Sequence, residues 1–217
     1  MEITRSAVTQ GQRWSWGGVA SGMACLLLLL GGVAVQPAVA GGATEAIKST
    51  VNEALTIIRD KELKQPGRTE ERRQRLEQVV GDRFDYKEMS RRALGAPWNT
   101  LSDNDKQEFV ALFRTLLTNS YADKIEAYSG EGVQYINERT EKDYAEVRTK
   151  VLTGKVEIPL DYRLVNKGTD WRVYDVVVDG VSLVNNYRGQ FSKILRASTY
   201  ADLVDQLRKK SDKIKAP

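Results

Sequence analysis

The sequence contains no histidine and only one cysteine in 217 residues. Without histidine, the chain lacks the side chain that most often serves as a general base and as a metal ligand. The single cysteine, Cys25, lies within the first forty residues, so the rest of the chain has no thiol nucleophile. No glycine-rich phosphate loop follows a predicted strand, and no Gly-x-Ser-x-Gly elbow is present. We therefore predict neither a cofactor nor a metal site.

The first forty residues have the pattern of an export signal. The segment begins with a positive charge, continues through the apolar stretch Val19–Val35, and ends in the small-x-small site Ala38-Val39-Ala40. The alternative is an uncleaved anchor, but a bilayer span needs about 20 apolar residues, and this stretch is shorter and interrupted by glycines. We expect residues 1–40 to be a signal peptide cleaved after Ala40, and residues 41–217 to be the exported domain.

The charge balance gives little sign of a polyanionic partner. The chain carries 33 Lys and Arg against 29 Asp and Glu, a net charge of +4. The two signs are interleaved along the chain, whereas binding to nucleic acid needs basic residues clustered on one face. We therefore predict a solvated surface and no nucleic-acid partner.

Apolar residues at helical spacing predict a helical first half, residues 44–128. Thr44 is expected to cap the first helix, and Ser102 with Asp105 has the spacing of a capping box for the last. That last helix has an unusually wide apolar face, so it should pack on several neighbours or line a cavity. The predicted helices cover residues 44–64, 69–80, 86–94 and 102–128.

A period of two replaces the helical period after Gly132 and predicts a four-stranded antiparallel meander over residues 133–178. The third strand alternates clearly, and Asp161 and Arg163 on its polar face are expected to be exposed. Helices followed by an antiparallel sheet indicate an α+β fold with helices packed on one sheet face. The predicted strands cover residues 133–139, 143–152, 155–166 and 170–178. The C-terminal part, residues 182–210, is predicted to form two helices, at 182–197 and 200–210.

The joint between the fourth strand and the next helix carries a family resemblance. Its motifs are Trp171, Tyr174-Asp175, Gly180-Val181-Ser182 and the Tyr-Arg-x-Gln-Phe sequence of residues 187–191, preceded by Phe84-Asp85-Tyr86, Ala93-Leu94-Gly95, Trp98 and the helix over residues 109–121. In their order and spacing these motifs resemble the MlaC (toluene-tolerance) family of periplasmic phospholipid-binding proteins. The resemblance covers nearly the whole chain after residue 43.

The resemblance implies an NTF2-like architecture, in which a curved antiparallel sheet and helices form a cone, with an N-terminal helical subdomain attached. It also implies a soluble periplasmic carrier that is not an enzyme. The carrier would move phospholipid between two membrane complexes and so maintain the lipid asymmetry of the outer membrane. The implied partners are phospholipid, an inner-membrane ABC transporter with MCE domains, and an outer-membrane lipoprotein–porin complex.

Many apolar and aromatic side chains can converge on one side of the predicted sheet. An ordinary filled core would explain each one singly, but a curved sheet closed by helices favours a concave apolar pocket. Val181, at the strand-to-helix joint, is the leading candidate, and Arg188 and Lys193 are weaker candidates for a lipid phosphate. The predicted lipid-binding residues are Phe84, Met89, Trp98, Phe109, Phe113, Leu116, Tyr121, Val147, Ile158, Leu160, Tyr162, Val176, Val178, Val181, Leu183 and Phe191.

The competing interpretation is a small-molecule enzyme on the same fold. Asp175 and Asp179 lie in or next to the most apolar strand, where a carboxylate can serve as a general base. A structural role for Asp175 and a turn role for Asp179 explain the same pattern without catalysis. Fold analogy alone does not establish an enzyme.

The export signal makes a direct prediction about the N-terminus of the secreted chain. N-terminal sequencing of the exported protein should begin at Gly41, because the signal peptidase would cut after Ala40. An anchored protein would instead keep residue 1.

Overall fold

The computed structural model describes residues 42–215, except Lys155 and Thr169. The predicted signal peptide and its cleavage site lie outside the described residues. Helices precede an antiparallel sheet and two more helices follow it, so the predicted α+β class is confirmed. In the described part of the chain, no helix has both the length and the apolarity needed to cross a membrane.

Six α-helices form at the predicted places within residues 42–215, with small differences at their ends. The first is shorter than predicted because the Asp60 carboxylate accepts the N–H of Glu62, at 2.8 Å, and so caps a turn. Thr44 lies inside this helix and is not its cap; its N–H donates to Glu138, at 2.8 Å. The helices are α1 Gly42–Arg59, α2 Thr69–Arg83, α3 Tyr86–Leu94, α4 Asp103–Glu126, α5 Leu183–Ala197 and α6 Tyr200–Lys215, with a short 3-10 helix at Ala96–Thr100.

Side-chain caps fix where four of these helices begin, and at α6 the Asp202 N–H donates to Thr199 Oγ1 at 3.2 Å. Ser102 and Asp105 form the predicted capping box: the Asp105 N–H donates to Ser102 Oγ at 3.2 Å, and the Ser102 N–H donates to the Asp105 carboxylate at 3.3 Å. Asp85 caps α3 and Ser182 caps α5 in the same way, each accepting a backbone N–H three residues on.

The sheet has five strands in sequential antiparallel order, one more than predicted. The extra strand exists because Asp179 and Gly180 both have positive φ, +48° and +78°, and make a two-residue turn. This turn folds Val181 back opposite Val178. The strands are β1 Gly132–Glu141, β2 Tyr144–Thr153, β3 Val156–Asn166, β4 Trp171–Val178 and β5 Val181–Ser182.

Two irregularities interrupt the regular pairing. In β1 the register shifts at Ile136, which is exposed on the edge strand of the sheet. In β4 the register shifts at Tyr174: Leu164 pairs with Val173 and Arg163 pairs with Asp175, so Tyr174 has no partner on β3 and forms a bulge. Arg163 is therefore not the exposed residue that alternation predicts: its side chain is 35% exposed and pairs with Asp175.

The buried side chains form two clusters. One is aromatic and lies among α3, α4, α5 and α6, where the rings of Phe113 and Phe191 meet edge to face at 5.5 Å. The other joins α1 to the sheet through Ile47, Val147 and Val173. The helical layer is therefore anchored to itself by aromatic rings and to the sheet by aliphatic side chains.

Asp175 ties β4 to the start of α5. It is 3% exposed, and its Oδ1 accepts the N–H of Val184 at 3.0 Å. Its Oδ2 accepts hydrogen bonds from Ser182 Oγ at 2.7 Å and from the Arg163 guanidinium at 3.0 Å. A buried carboxylate is stable only with such partners, and here they come from three separate elements.

We predict that Asp175→Asn lowers the free energy of unfolding by about 2 kcal/mol or more, because the change removes the buried negative charge that pairs with Arg163 and places an amide N–H₂ against existing donors. Urea unfolding followed by circular dichroism measures this. The matched control, Asp179→Asn, keeps a residue type that tolerates positive φ in an exposed turn and should change stability by less than about 0.5 kcal/mol. Equal effects of the two variants would contradict the structural role of Asp175.

Candidate functional site

A cavity of about 650 Å³ lies between one face of the sheet and helices α1, α2 and α4. We call it the apolar cavity. Val133 of β1 and Val151 and Thr153 of β2 form part of its sheet wall. The rest is formed by alternate residues of β3 and β4, which point to one side because side chains alternate along a strand. These residues are Ile158, Leu160, Tyr162, Val176 and Val178.

Helix α1 supplies much of the opposite wall. Its lining residues repeat every three or four positions, so they form one stripe along the helix. Helix α2 adds Leu76 and Val80. None of these was predicted as a site residue, although the amphipathic pattern was visible, because that pattern shows a buried face without showing what it is buried against. The α1 lining residues are Ile47, Thr50, Val51, Ala54, Leu55 and Ile58.

The wide apolar face of α4 is divided between two environments. Phe109 and Phe113 are fully buried in the aromatic cluster. Tyr121 and Ile125, further along the helix, line the apolar cavity. Both phenylalanine side chains of α4 therefore pack against other helices, and this leaves the space in front of the sheet open.

A few polar groups reach the cavity wall. Burial raises the pKa of the Tyr162 phenol, which therefore stays neutral, and no described residue hydrogen-bonds its hydroxyl. The Arg83 guanidinium is occupied by Asp170 at 2.6 Å and by Thr50 Oγ1 at 3.0 Å. Lys124 is exposed and stands over the ring of Tyr121, 5.4 Å from its centroid. The polar groups are thus sparse, and charge is found where the wall meets solvent.

Nine of the sixteen predicted lipid-binding residues line this cavity. They come from α3, α4, α5, β3, β4 and the residue directly after α2, so the structure does bring distant parts of the chain together here. They are Phe84, Met89, Tyr121, Ile158, Leu160, Tyr162, Val176, Val178 and Leu183.

The other seven predicted residues do not line the cavity. Five of them fill the aromatic cluster, because they lie on helix faces that point to other helices. Val147 packs under α1 in the aliphatic cluster. Val181, the leading candidate, is 59% exposed and does not line the cavity, because β5 is the strand at the edge of the sheet. The five in the aromatic cluster are Trp98, Phe109, Phe113, Leu116 and Phe191.

The two candidate phosphate ligands are also placed elsewhere. Arg188 lies in a separate groove, with Arg163 and Asp175. Those two residues alternate with Tyr162 and Val176, so the groove opens on the other face of the sheet. Lys193 is exposed and lines neither the groove nor the apolar cavity.

The carboxylates considered for catalysis do not face the apolar cavity. Both oxygens of Asp175 already accept hydrogen bonds from three donors, one of them a guanidinium. Asp179 is exposed in the turn before β5. Among the described residues, no group of three or more acidic side chains is arranged to hold a metal ion. The geometry favours enclosure of an apolar molecule.

Comparison with known proteins agrees with this geometry. The sequence profile of the MlaC protein family matches residues 48–209, about three quarters of the chain. The intermembrane phospholipid transport system binding protein MlaC of Haemophilus influenzae is 25% identical over 101 residues, which are 44% of this chain and 47% of that protein. The match thus spans about half the length of this curated relative.

A solved structure covers more of the fold. The phospholipid-binding protein of Ralstonia solanacearum, determined in complex with a phospholipid, superposes with a TM-score of 0.72 at 26% identity. The superposition covers 80% of this chain and 99% of that protein. The α+β fold is thus shared with a protein that was determined with a bound phospholipid. The chain belongs to the MlaC family.

A new charge should reduce ligand uptake at one of two neighbouring positions on β4 and β5 and have little effect at the other. Val178→Asp places a carboxylate in the wall of the apolar cavity, where burying it is costly, so uptake of an apolar fluorescent dye should fall about tenfold or more. Val181→Asp, at the position paired with Val178, faces solvent and should change uptake by less than about twofold. Dye titration of both purified variants measures this, and a larger loss with Val181→Asp would contradict the placement of the cavity.

Proposed function

We propose that this protein is a soluble periplasmic phospholipid carrier, which encloses acyl chains in the apolar cavity. The observation that carries the proposal is the cavity of about 650 Å³, walled almost entirely by apolar side chains. Sites of this size are typical for small ligands, and cavities lined this way stay dry and accept hydrocarbon. The phospholipid held by the Ralstonia solanacearum relative supports the same ligand.

The energetics need no covalent step. Each methylene moved from water into the cavity gains about 0.8 kcal/mol, so acyl chains can leave a bilayer without a large net loss. The headgroup can remain in solvent at the rim. Lys124 is the exposed cation of the cavity wall, and we propose that it lies closest to the lipid phosphate, in place of Arg188 and Lys193.

The lipid-binding residues in this proposal are the nine predicted residues of the cavity wall together with the apolar stripe of α1. The stripe matters because α1 contacts both the sheet and α2, so it closes the cavity along its length. The seven predicted residues outside the cavity are proposed to support the fold and not to contact lipid.

The partners belong to the same proposal. The name of the Haemophilus influenzae relative places that protein in an intermembrane phospholipid transport system. By family membership, we propose that this chain exchanges lipid with an inner-membrane ABC transporter carrying MCE domains and with an outer-membrane lipoprotein–porin complex. The effect would be to keep the outer membrane asymmetric.

The location follows from the N-terminal signal and the family. The pattern of residues 1–40 is that of a cleaved export signal, and a carrier between two membranes must work in the space that separates them. We propose a role without catalysis, because the carboxylates considered for catalysis are held by structural hydrogen bonds or lie in an exposed turn.

The carrier proposal is tested by filling the cavity without adding charge. Ala54→Trp on α1 places an indole in the cavity, so the purified protein should carry several-fold less diacyl lipid by native mass spectrometry. The matched control, Ala111→Trp, adds the same side chain to the exposed face of α4 and should keep the wild-type lipid load. Circular dichroism confirms that both variants are folded.

Two outcomes would overturn the proposal. One is a wild-type protein purified from cells, and then incubated with phospholipid vesicles, that carries no lipid at either stage. The other is an equal lipid load in Ala54→Trp and Ala111→Trp, which would place any bound lipid outside the apolar cavity.

A further inference from the structure

A second cavity, of about 490 Å³, lies on the opposite face of the sheet from the apolar cavity. We call it the arginine groove, after Arg91, Arg92, Arg163 and Arg188, which line it. The bulge at Tyr174 contributes to its shape, because it lets two successive residues of β4, Tyr174 and Asp175, reach the same groove.

The groove carries more positive than negative charge. Four guanidinium groups line it; Glu88 and Glu146 pair with three of them from outside the lining, and the one carboxylate in the lining is that of Asp175. Both oxygens of this carboxylate already accept hydrogen bonds from the protein, so it has little capacity left to neutralise a neighbour. In the described part of the chain Arg188 has no hydrogen bond or ion pair, and its guanidinium lies beside Gly95.

Three of the arginines are held in place before any ligand arrives, and one of them, Arg163, is held by its ion pairs with Asp175 and Glu146. Arg91 and Arg92 both pair with Glu88, at 2.6 and 2.7 Å, and the hydrogen bond from Arg91 helps to lower the pKa of Glu88 to about 2. The guanidinium of Arg92 also stacks over the ring of Tyr174, 4.0 Å from its centroid. Groups fixed in this way lose little conformational freedom when a ligand binds.

The guanidinium groups and the concave shape of the arginine groove together indicate which chemical class of ligand it would bind. Each guanidinium presents a planar set of donors that matches a carboxylate in two hydrogen bonds, and several arginines favour several carboxylates. The flat surface of a bilayer can contact only residues that protrude from a protein. These arginines instead line a concavity, and the lining also includes the buried Asp175. A polypeptide segment bearing acidic side chains can enter such a concavity.

We propose that the arginine groove docks an acidic segment of a partner protein, whose carboxylates pair with Arg188 and with the free N–H groups of Arg91 and Arg92. Since the groove and the apolar cavity lie on opposite faces of the sheet, docking does not cover the wall that would hold lipid. The site stands apart from the proposed carrier role and would remain if the apolar cavity took another ligand.

The test uses the full exported chain and a fluorescein-labelled octaglutamate peptide, followed by fluorescence anisotropy at low and high salt. The wild type should bind the peptide, and binding should weaken with salt because the contacts are ionic. Arg188→Glu should weaken binding about fivefold or more, and Arg188→Gln should give a smaller loss in the same direction. The second variant removes the charge without adding a carboxylate to the groove, so it guards against poor folding of the first.

The matched control is Arg196→Glu, which makes the same change in charge on the same helix, at an exposed position outside the groove. It should weaken peptide binding by less than about twofold. Arg188→Glu should also keep the wild-type lipid load, which separates a failure of docking from a failure of the carrier role.

Three results would overturn the docking proposal. The first is no binding of octaglutamate by the wild type at low salt. The second is equal weakening by Arg188→Glu and Arg196→Glu, which indicates diffuse attraction and no groove. The third is binding to dioleoyl phosphatidylglycerol vesicles that Arg188→Glu abolishes while peptide binding is unchanged, which would assign the groove to a membrane surface.

Discussion

The hydrogen bonds of Asp175 are the interaction on which the arrangement of this molecule depends. They fix the first turn of α5 to β4 and to Arg163 of β3. From this fixed start, α5 presents Tyr187 and Phe191 to the aromatic rings of α4. Those rings are therefore packed among helices and are not available to fill the space before the sheet. The helices therefore enclose a filled aromatic cluster, while the apolar cavity remains open in front of the sheet.

The sequence was sufficient to predict the order and type of the elements. Turn residues, capping residues and the change from helical to strand period each have a local physical cause, and the capping box at Ser102 and Asp105 formed as its spacing predicts. The strand β5 was missed although Asp179-Gly180 is a favoured hairpin turn, because β5 has only two residues before α5 begins.

The candidate site was harder to predict because hydrophobic periodicity identifies a buried face but not its neighbour. Phe113 and Tyr121 lie on the same broad face of α4, yet one packs among rings and the other lines the apolar cavity. The stripe of α1 had the same kind of pattern and was assigned only to packing. Val181 was misplaced for a different reason, since β5 is the strand at the edge of the sheet.

The bulge at Ile136 has a consequence for a protein that would be exported and work in solution. β1 is the free edge of the sheet, and an unpaired edge is a template on which a second copy can add its own strand. Ile136 is 54% exposed there, and on a regular edge strand this apolar side chain would favour association with a second copy. The shifted register interrupts the row of free backbone groups, and the charges of Glu138 and Arg139 follow directly. The bulge and the charges thus oppose pairing of this edge with a second copy, and α1 also contacts β1 through the hydrogen bond from Thr44 to Glu138.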